Sequence, residues 1–475
     1  MKLKELVIKG VLWNFSDKIF NQFGTFLVTI YLSRILTPGD FGLVGLLTVF
    51  IAISNIVIDG GFYQALVQKS HHLKDIETST VFWSNLSISF FLYIFLFFIS
   101  PYLAVFFKEP ELSSTARVLF VVIIINSYSI AAKAKLAILV DFKSQAIANI
   151  SGTFVGSIVA IIAANNGLGF WSIVLLALVK SFITTIVMCR LSFWKPKMEF
   201  SIIAFRELFK FGSNLMISGL VATLVSNLYL VVIAKYFNTD QAGYFIQASN
   251  ITNALSGILS SVIQGVSYPI LTSLNNQPSR MILIYKKLIE VTALFSFPVM
   301  FGFAVVAEDF TQIFLGEKWA PIVPLLSFMA FARIVTPISS INMNILNAVG
   351  RSDLFLLIDI SKLPLTLSVL FFVLPYGIKA VAGAMIFTSF IAFFINSYFP
   401  GKMFSFGPIK QIELFLKYIL SSVVMIAVVN IVNLEFEIIL FFMKIFTGFF
   451  IYTSMLLLFK EKYIISVIRK VKKYI

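Results

Sequence analysis

Residues 89–107 read SFFLYIFLFFISPYLAVFF, a run of 19 residues without a charged side chain. A helix formed by this run is apolar on every face and long enough to cross the hydrocarbon core of a membrane. A membrane β-barrel is excluded, because barrel strands alternate apolar and polar residues over about ten positions. The run therefore predicts a transmembrane helix.

Similar runs recur along the whole chain, whose 475 residues are 59% hydrophobic and only 12% charged, with a mean hydropathy of +0.95. Soluble domains contain about 25% charged residues, so a soluble enzyme is excluded. Fourteen runs are candidate spans: 11–36, 41–68, 80–107, 113–139, 144–164, 168–194, 208–235, 241–274, 288–315, 320–349, 354–375, 378–399, 414–433 and 436–459. The sequence predicts an all-α polytopic membrane protein with about 14 transmembrane helices.

Basic residues predict the orientation of these spans. With the N-terminus inside, the inner loops and tails carry 26 Lys and Arg residues and the outer loops carry 6. Cytoplasmic loops hold the excess of basic residues in membrane proteins. We therefore expect a multi-pass protein of the bacterial inner membrane with both termini in the cytoplasm. The net charge of +15 is a topology signal spread between spans, and we expect no nucleic-acid partner.

Two weak internal matches suggest a repeat. A shift of 201 residues aligns LSRILTPGDFGL (32–43) with IAKYFNTDQAGY (233–244), and a shift of 208 aligns FKSQAIAN (142–149) with GRSDLFLL (350–357). Both equate spans 1–6 with spans 7–12. The predicted organisation is two pseudo-symmetric six-helix lobes, 1–200 and 201–402, followed by helices 13–14 and a basic tail, 403–475. Parallel repeats of this kind enclose a cavity near the membrane midplane, which favours transport.

The last residues have an amphipathic pattern. One helical face of 460–475 carries apolar residues, and the other carries Lys and Arg; the apolar residues are Ile464, Val467, Ile468, Val471 and Ile475. We expect this tail to lie on the anionic inner leaflet, with a solvated basic tail as the alternative.

Metal and cofactor chemistry has no support in the sequence. Cys189 is the single cysteine, and the two histidines, His71 and His72, are adjacent in a short polar stretch. This set offers no zinc ligand cluster, and no GxxxxGK[ST] phosphate loop of an ABC pump is present. We expect no metal, no cofactor and no enzymatic activity.

Five segments resemble polysaccharide exporters. They are SRILTPGDFGLVGL (33–46), DGGFYQALVQK (59–69), SSVIQGVSYPILTSL (260–274), LGEKWAPIVPLLSFMA (315–330) and NAVGRSDL (347–354). The sequence resembles the colanic acid and teichuronic acid branch of the O-antigen flippases, within the multidrug/oligosaccharidyl-lipid/polysaccharide exporter superfamily. The resemblance extends from Leu12 to about Leu356, and the C-terminal third matches weakly.

The resemblance implies a function and partners. A member of this family moves undecaprenyl-diphosphate-linked oligosaccharide from the cytoplasmic to the periplasmic leaflet, by alternating access of two lobes around a cavity. Its partners would be this lipid-linked oligosaccharide, membrane lipids, a polysaccharide polymerase and glycosyltransferases. Two alternatives stay open: a drug or metabolite antiporter of the same superfamily, and a membrane glycosyltransferase or polymerase. The enzyme is disfavoured because such enzymes usually place their catalytic residues in a large periplasmic loop, and the predicted outer loops here are short.

Charged residues at membrane depth are candidate site residues, because burying a charge in the membrane is costly. The candidates for substrate binding are Arg333, Lys180, Lys362, Asp359, Asp17, Lys18 and Asp59. Arg333 lies deep in span 10 between two prolines, and its planar guanidinium suits a diphosphate. The alternative role for Arg333 is structural pairing.

The other candidates have equally plain alternatives. Lys180 lies near the middle of span 6, where a lysine can also snorkel toward the surface. Asp359 and Lys362 are three residues apart and can form a structural ion pair or an ion-linked switch. Asp17 and Lys18 also fit leaflet-level, hydrated positions, and Asp59, before two glycines, fits a helix break. We expect Lys444 to snorkel outward.

Overall fold

The computed structural model describes residues 3–69, 73–274, 277–433 and 436–466. Within these ranges the chain is helical apart from short connections. The helices are α1 Leu3–Ile35, α2 Pro38–Asp59, α3 Phe62–Gln68, α4 Asp75–Phe107, α5 Glu111–Leu119, α6 Val121–Ile138, α7 Phe142–Asn165, α8 Trp171–Leu191, α9 Ile202–Tyr236, α10 Thr239–Ser273, α11 Pro278–Val305, α12 Ala307–Phe310, α13 Val323–Arg333, α14 Thr336–Ala348, α15 Ser352–Val373, α16 Ile378–Phe404, α17 Pro408–Val429 and α18 Glu437–Leu458. Shorter π and 3₁₀ turns occupy Thr311–Leu315, Glu317–Ile322 and Leu374–Tyr376.

The predicted fold class is confirmed: the protein is an all-α polytopic membrane protein. In the described residues, 11 helical segments are long and apolar enough to cross a membrane, and 12 if the bent helix at Ile202–Tyr236 is one span. The helices α1 and α10 coincide with predicted spans 1 and 8. The helix pattern is consistent with 14 spans, and that number stays a prediction.

Both the start and the end of α2 follow directly from its sequence. Thr37 and Asp40 cap the first turn reciprocally, and Pro38 occupies the first helical position, where its missing N–H costs nothing. The helix stops at Asp59 because Gly60 and Gly61 adopt left-handed backbone conformations, with φ of 53° and 74°. This agrees with the helix break expected at Asp59.

The described chain forms two compact units, Met1–Ile246 and Gln247–Ile475. In the first unit, α7 packs along α8 and α1, and α4 packs on α6. In the second unit, α13 packs on α16, and α17 packs between α11 and α18. The first unit thus extends into α10, beyond the lobe boundary expected at residue 200. The division into 1–200, 201–402 and 403–475 stays a prediction.

A close helix contact in the first unit supports the internal repeat. A side chain at Gly42 would overlap the backbone carbonyl of Thr239, and a side chain at Gly243 would overlap that of Pro38. The shift of 201 residues equates Pro38 with Thr239 and Gly42 with Gly243. Contacts that are reciprocal in this way are the pattern that a two-fold axis produces. The superposition of whole lobes stays a prediction.

Several predictions concern residues outside the described ranges. His71 and His72 lie there, as do the tail residues Val467, Ile468, Val471 and Ile475. Ile464 belongs to a helical segment at 462–466 that follows α18.

The predicted orientation can be tested with reporter fusions. Fusions after Lys74, Lys197 and Ile475 are expected to report a cytoplasmic location, because basic residues concentrate on that side. A fusion after Asn166, in the turn between α7 and α8, is expected to report a periplasmic location. A periplasmic C-terminus would contradict the even number of spans.

Candidate functional site

Arg333 lies at an interruption in the middle of a candidate span. The span Glu317–Ala348 contains α13, which ends at Arg333, and α14, which begins at Thr336 with Pro337 in its first turn. The two residues between these helices form a turn. Pro337 cannot donate a backbone hydrogen bond, which accounts for the local break. Broken helices at membrane depth are tolerated where they face protein or a cavity.

Two hydroxyl groups of α10 hold the Arg333 guanidinium. Its Nε donates to Thr252 Oγ1 at 3.0 Å, and its Nη2 donates to Ser249 Oγ at 3.1 Å. None of the ion pairs formed within the described ranges includes Arg333. Arg333 is thus held by neutral groups, and within the described ranges no carboxylate pairs with its guanidinium.

A polar cluster surrounds Asp17 in the first unit. The amide groups of Asn21 and Asn149 donate to the two carboxylate oxygens at 2.5 and 2.8 Å, and Thr153 donates to Asn21. The cluster joins α1 to α7. Among the charges that act on the Asp17 carboxylate is that of Lys180 on α8.

The two candidate lysines of the first unit, Lys180 and Lys18, differ in burial. Lys180 is partly buried on α8, where Gly152 and Gly156 let α7 approach its backbone closely. Lys18, by contrast, is exposed on α1. The structure therefore places Lys180 close enough to Asp17 for their charges to interact. Lys18 is exposed, whereas Asp17 and Lys180 are both partly buried.

Asp59 caps the turn after α2. Its Oδ1 accepts the backbone N–H of Tyr63 at 3.2 Å. The Lys133 ammonium lies 5.5 Å from the centre of the Tyr63 ring and acts electrostatically on Asp59. The local role of Asp59 is therefore to shape the break between α2 and α3.

Asp359 and Lys362 form the ion pair expected from their spacing. Lys362 Nζ lies 2.8 Å from Asp359 Oδ1, on one face of α15. In the described part of the second unit, neither a hydrogen bond nor an ion pair joins Asp359 or Lys362 to Arg333. Whether the pair acts as a switch stays a prediction.

Lys444 has a carboxylate partner that the sequence did not indicate, and its outward snorkelling stays a prediction. Its Nζ lies 2.7 Å from Asp309 Oδ2, and the two side chains are only 15% and 12% exposed. The sequence argument assumed that a lone lysine in an apolar span must reach for the surface. The structure supplies a carboxylate from the short helix α12, 135 residues away in sequence.

An apolar cavity of about 700 Å³ lies beside Lys444 in the second unit. It is bounded by α11, α17 and α18, and its lining includes Phe295, Val299, Phe303, Met425, Ile445, Phe449 and Ile464. Such a surface favours hydrocarbon over water.

Sequence reasoning missed the neutral partners of the charged residues. Ser249, Thr252, Asn21, Asn149 and Thr153 are common residues, and none is costly in a membrane by itself. One signal was available: Asp17 and Asn21, and also Asn149 and Thr153, are four residues apart, which places each pair on one helix face.

Comparison with known proteins agrees with the predicted resemblance. The succinoglycan biosynthesis transport protein ExoT of Rhizobium meliloti (strain 1021) is 26% identical over 337 residues, which cover 70% of this chain and 68% of that protein. The lipopolysaccharide biosynthesis protein WzxC of Escherichia coli (strain K12) is 22% identical over 369 residues, which cover 76% and 74%.

Among solved structures, the lipid II flippase MurJ in an inward closed conformation has the same fold. It superposes with a TM-score of 0.82 at 16% identity, over 96% of this chain and 100% of MurJ. The sequence model of a family described as "Polysaccharide biosynthesis protein" matches residues 31–324. Because this match covers more than half of the chain, the protein belongs to the polysaccharide biosynthesis protein family.

Proposed function

We propose that this protein carries undecaprenyl-diphosphate-linked oligosaccharide from the cytoplasmic to the periplasmic leaflet of the bacterial inner membrane, by alternating access. The observation that carries the proposal is Arg333, a cation near the middle of a span that is held by hydroxyl groups and not by a carboxylate. An unneutralised cation at this depth is costly unless an anion joins it. The diphosphate of the substrate supplies that anion.

Two further features support a lipid-linked substrate. The apolar cavity between α11, α17 and α18 offers room for part of a polyprenyl chain. ExoT and WzxC are named for the biosynthesis of succinoglycan and lipopolysaccharide, and MurJ is named as a lipid II flippase. The chain is a transporter in this proposal, with no bond made or broken, and its partners are glycosyltransferases and a polymerase.

Reconstitution tests the proposal directly. The purified chain is placed in vesicles that contain a fluorescent polyprenyl-diphosphate oligosaccharide in one leaflet, and a sugar-binding lectin outside the vesicles measures the exposed head groups. Flipping is expected only in vesicles with the protein. Exchange of small cationic drugs without any flipping would favour the antiporter instead.

The contact between α2 and α10 provides a second test of alternating access. Gly42→Val is expected to lower export about tenfold, because the new side chain overlaps the Thr239 backbone and keeps the two helix ends apart. In a Cys189→Ser background, the thiol introduced by Thr37→Cys is expected to react faster with a membrane-impermeant maleimide when Gly42→Val is also present.

The matched control for this prediction is Gly383→Val, because no atom lies within 4 Å of a side chain added there. This variant is expected to export normally. Normal export by Gly42→Val at wild-type abundance would show that the α2–α10 contact does not need to close.

A further inference from the structure

The two hydroxyl groups that hold Arg333 come from one face of α10. Ser249 and Thr252 are three residues apart, so they lie on the same side of the helix. Thr252 is completely buried. The guanidinium therefore meets a preformed pair of oxygen atoms, since both belong to one rigid element.

The oxygen atoms are themselves fixed by other hydrogen bonds. The Thr252 hydroxyl donates to the backbone carbonyl of Ala248 at 2.8 Å, which leaves its lone pairs for Arg333. Ser249 Oγ also accepts the Asn253 amide at 3.2 Å. Each acceptor is thus oriented before it meets the guanidinium, which is the property of a positioning group.

The Arg333 guanidinium has N–H donors that Ser249 and Thr252 do not use. Arg has five N–H groups in a planar fork. One Nε–H and one Nη2–H are taken by Thr252 and Ser249. The remaining three N–H groups, two on Nη1 and one on Nη2, include the end-on edge formed by these two nitrogens, which can bind phosphate oxygens in pairs.

The neutrality of the partners is also significant. An Asp or Glu in place of Ser249 or Thr252 would orient the fork equally well, and it would cancel the charge that attracts an anion. Two hydroxyl groups fix the orientation and leave the charge intact. This combination suits a site for a transient anion better than a permanent structural ion pair.

We propose that Ser249 and Thr252 are positioning residues, which orient the Arg333 fork so that its free edge binds the diphosphate of the lipid-linked substrate. The inference rests on the proposed function, and it adds a specificity. A diphosphate offers oxygens on two phosphorus atoms, so a fixed fork binds it better than it binds a monophosphate. Removing the hydroxyls should mainly lower this discrimination.

Binding of undecaprenyl diphosphate and undecaprenyl monophosphate to the purified full chain tests the proposal. The double variant Ser249→Ala with Thr252→Val is expected to bind the diphosphate about tenfold more weakly, because hydrogen bonds to charged groups are lost. Its binding of the monophosphate is expected to change much less. Ser249→Thr with Thr252→Ser retains both hydroxyls and is expected to restore binding.

A double-mutant cycle shows whether the hydroxyls act through Arg333. In an Arg333→Lys background, which lacks the fork, removal of both hydroxyls is expected to cause no further loss. The matched control is Ser256→Ala with Thr292→Val, which removes two buried hydroxyls elsewhere in the same unit. This control is expected to keep the wild-type discrimination between the two lipids.

The outcomes separate this inference from the proposed function. Unchanged diphosphate binding in the Ser249/Thr252 variant, or an equal loss in the Arg333→Lys background, overturns the positioning role. If Arg333→Ala itself binds the diphosphate as tightly as the wild type, the proposed anion site is wrong. A loss for both lipids without discrimination indicates a structural role for the hydroxyls and also overturns the proposal.

Discussion

Arg333→Ala is expected to stop polysaccharide export and to leave lipid-linked oligosaccharide on the cytoplasmic leaflet. The side chain supplies the positive charge at the break between α13 and α14. Removing a buried, hydrogen-bonded partner of a charge costs about 2–5 kcal/mol, which corresponds to a loss of about 30-fold or more. Arg333→Lys keeps the charge and loses the fork, and we expect partial export.

The direction of transport does not depend on this arginine. Moving each negative charge outward across an inside-negative membrane gains about 2.3 kcal/mol per 100 mV. The potential therefore favours export of a diphosphate. In the proposed mechanism Arg333 would lower the barrier that the head group meets near the midplane, so we expect its loss to slow transport in both directions of a reconstituted assay.

The matched control is Arg351→Ala. Arg351 is an exposed arginine of the same unit that pairs with Asp353 at 2.7 Å, and exposed pairs contribute little. We expect nearly normal export from this variant. Normal polysaccharide production by Arg333→Ala at wild-type membrane abundance refutes the proposed site, whereas lost abundance supports a structural role.

Lys417→Met is expected to lower the folding stability of the second unit strongly. Lys417 Nζ lies 2.8 Å from Glu290 Oε1 and 2.5 Å from Glu461 Oε2. The side chains of these three residues are 27%, 23% and 1% exposed, respectively. The cluster joins α11, α17 and the segment after α18.

Removal of the lysine leaves two carboxylates without their cation. Breaking a buried ion pair in this way costs about 3–5 kcal/mol. The Tyr463 hydroxyl, 3.4 Å from Glu290 Oε2, can only partly compensate. Burial and the nearby Glu290 carboxylate raise the pKa of Tyr463 to about 12, so this hydroxyl stays protonated and can donate. We expect a clear decrease in the midpoint of thermal unfolding in detergent.

Two variants control this prediction. Lys410→Met removes the same charge from the same helix at a position where the ammonium donates to the Ser405 carbonyl and pairs with no carboxylate in the described ranges. We expect little change in the unfolding midpoint of this variant. Adding Glu290→Gln and Glu461→Gln to Lys417→Met removes the unpaired charges and is expected to recover part of the stability. Equal midpoints for Lys417→Met and Lys410→Met would contradict the argument.

The local helix signals were readable because they depend on near neighbours. Asp59 followed by two glycines predicted a helix break, and α2 ends there. The start signal of α2 is equally local, since it consists of Thr37, Pro38 and Asp40, although the predicted span began only at residue 41. The pairing of Asp359 with Lys362 belongs to the same class, since three residues along a helix fix their distance. These predictions needed no knowledge of the rest of the fold.

The partners of the other charged residues could not be predicted from the sequence. Thr252 is 81 residues from Arg333, and Asp309 is 135 residues from Lys444. The apolar pattern of each span predicts that it crosses the membrane. Because lipid is as apolar as the helix surface, the same pattern does not indicate which face of the helix packs against which neighbour. For this reason the sequence did not indicate that Lys444 pairs with Asp309.

The sequence by itself determined the class of the protein, because run length and hydropathy report the transfer of each segment from water to hydrocarbon. It also identified Arg333 as exceptional, since a charge at that depth is costly wherever the helix packs. Only the tertiary structure decided how Arg333 is held, because a guanidinium can take a carboxylate or hydroxyl partner with the same local sequence. The packing of α10 beside the break after α13 supplied Ser249 and Thr252, and these neutral partners leave the positive charge available for an anion.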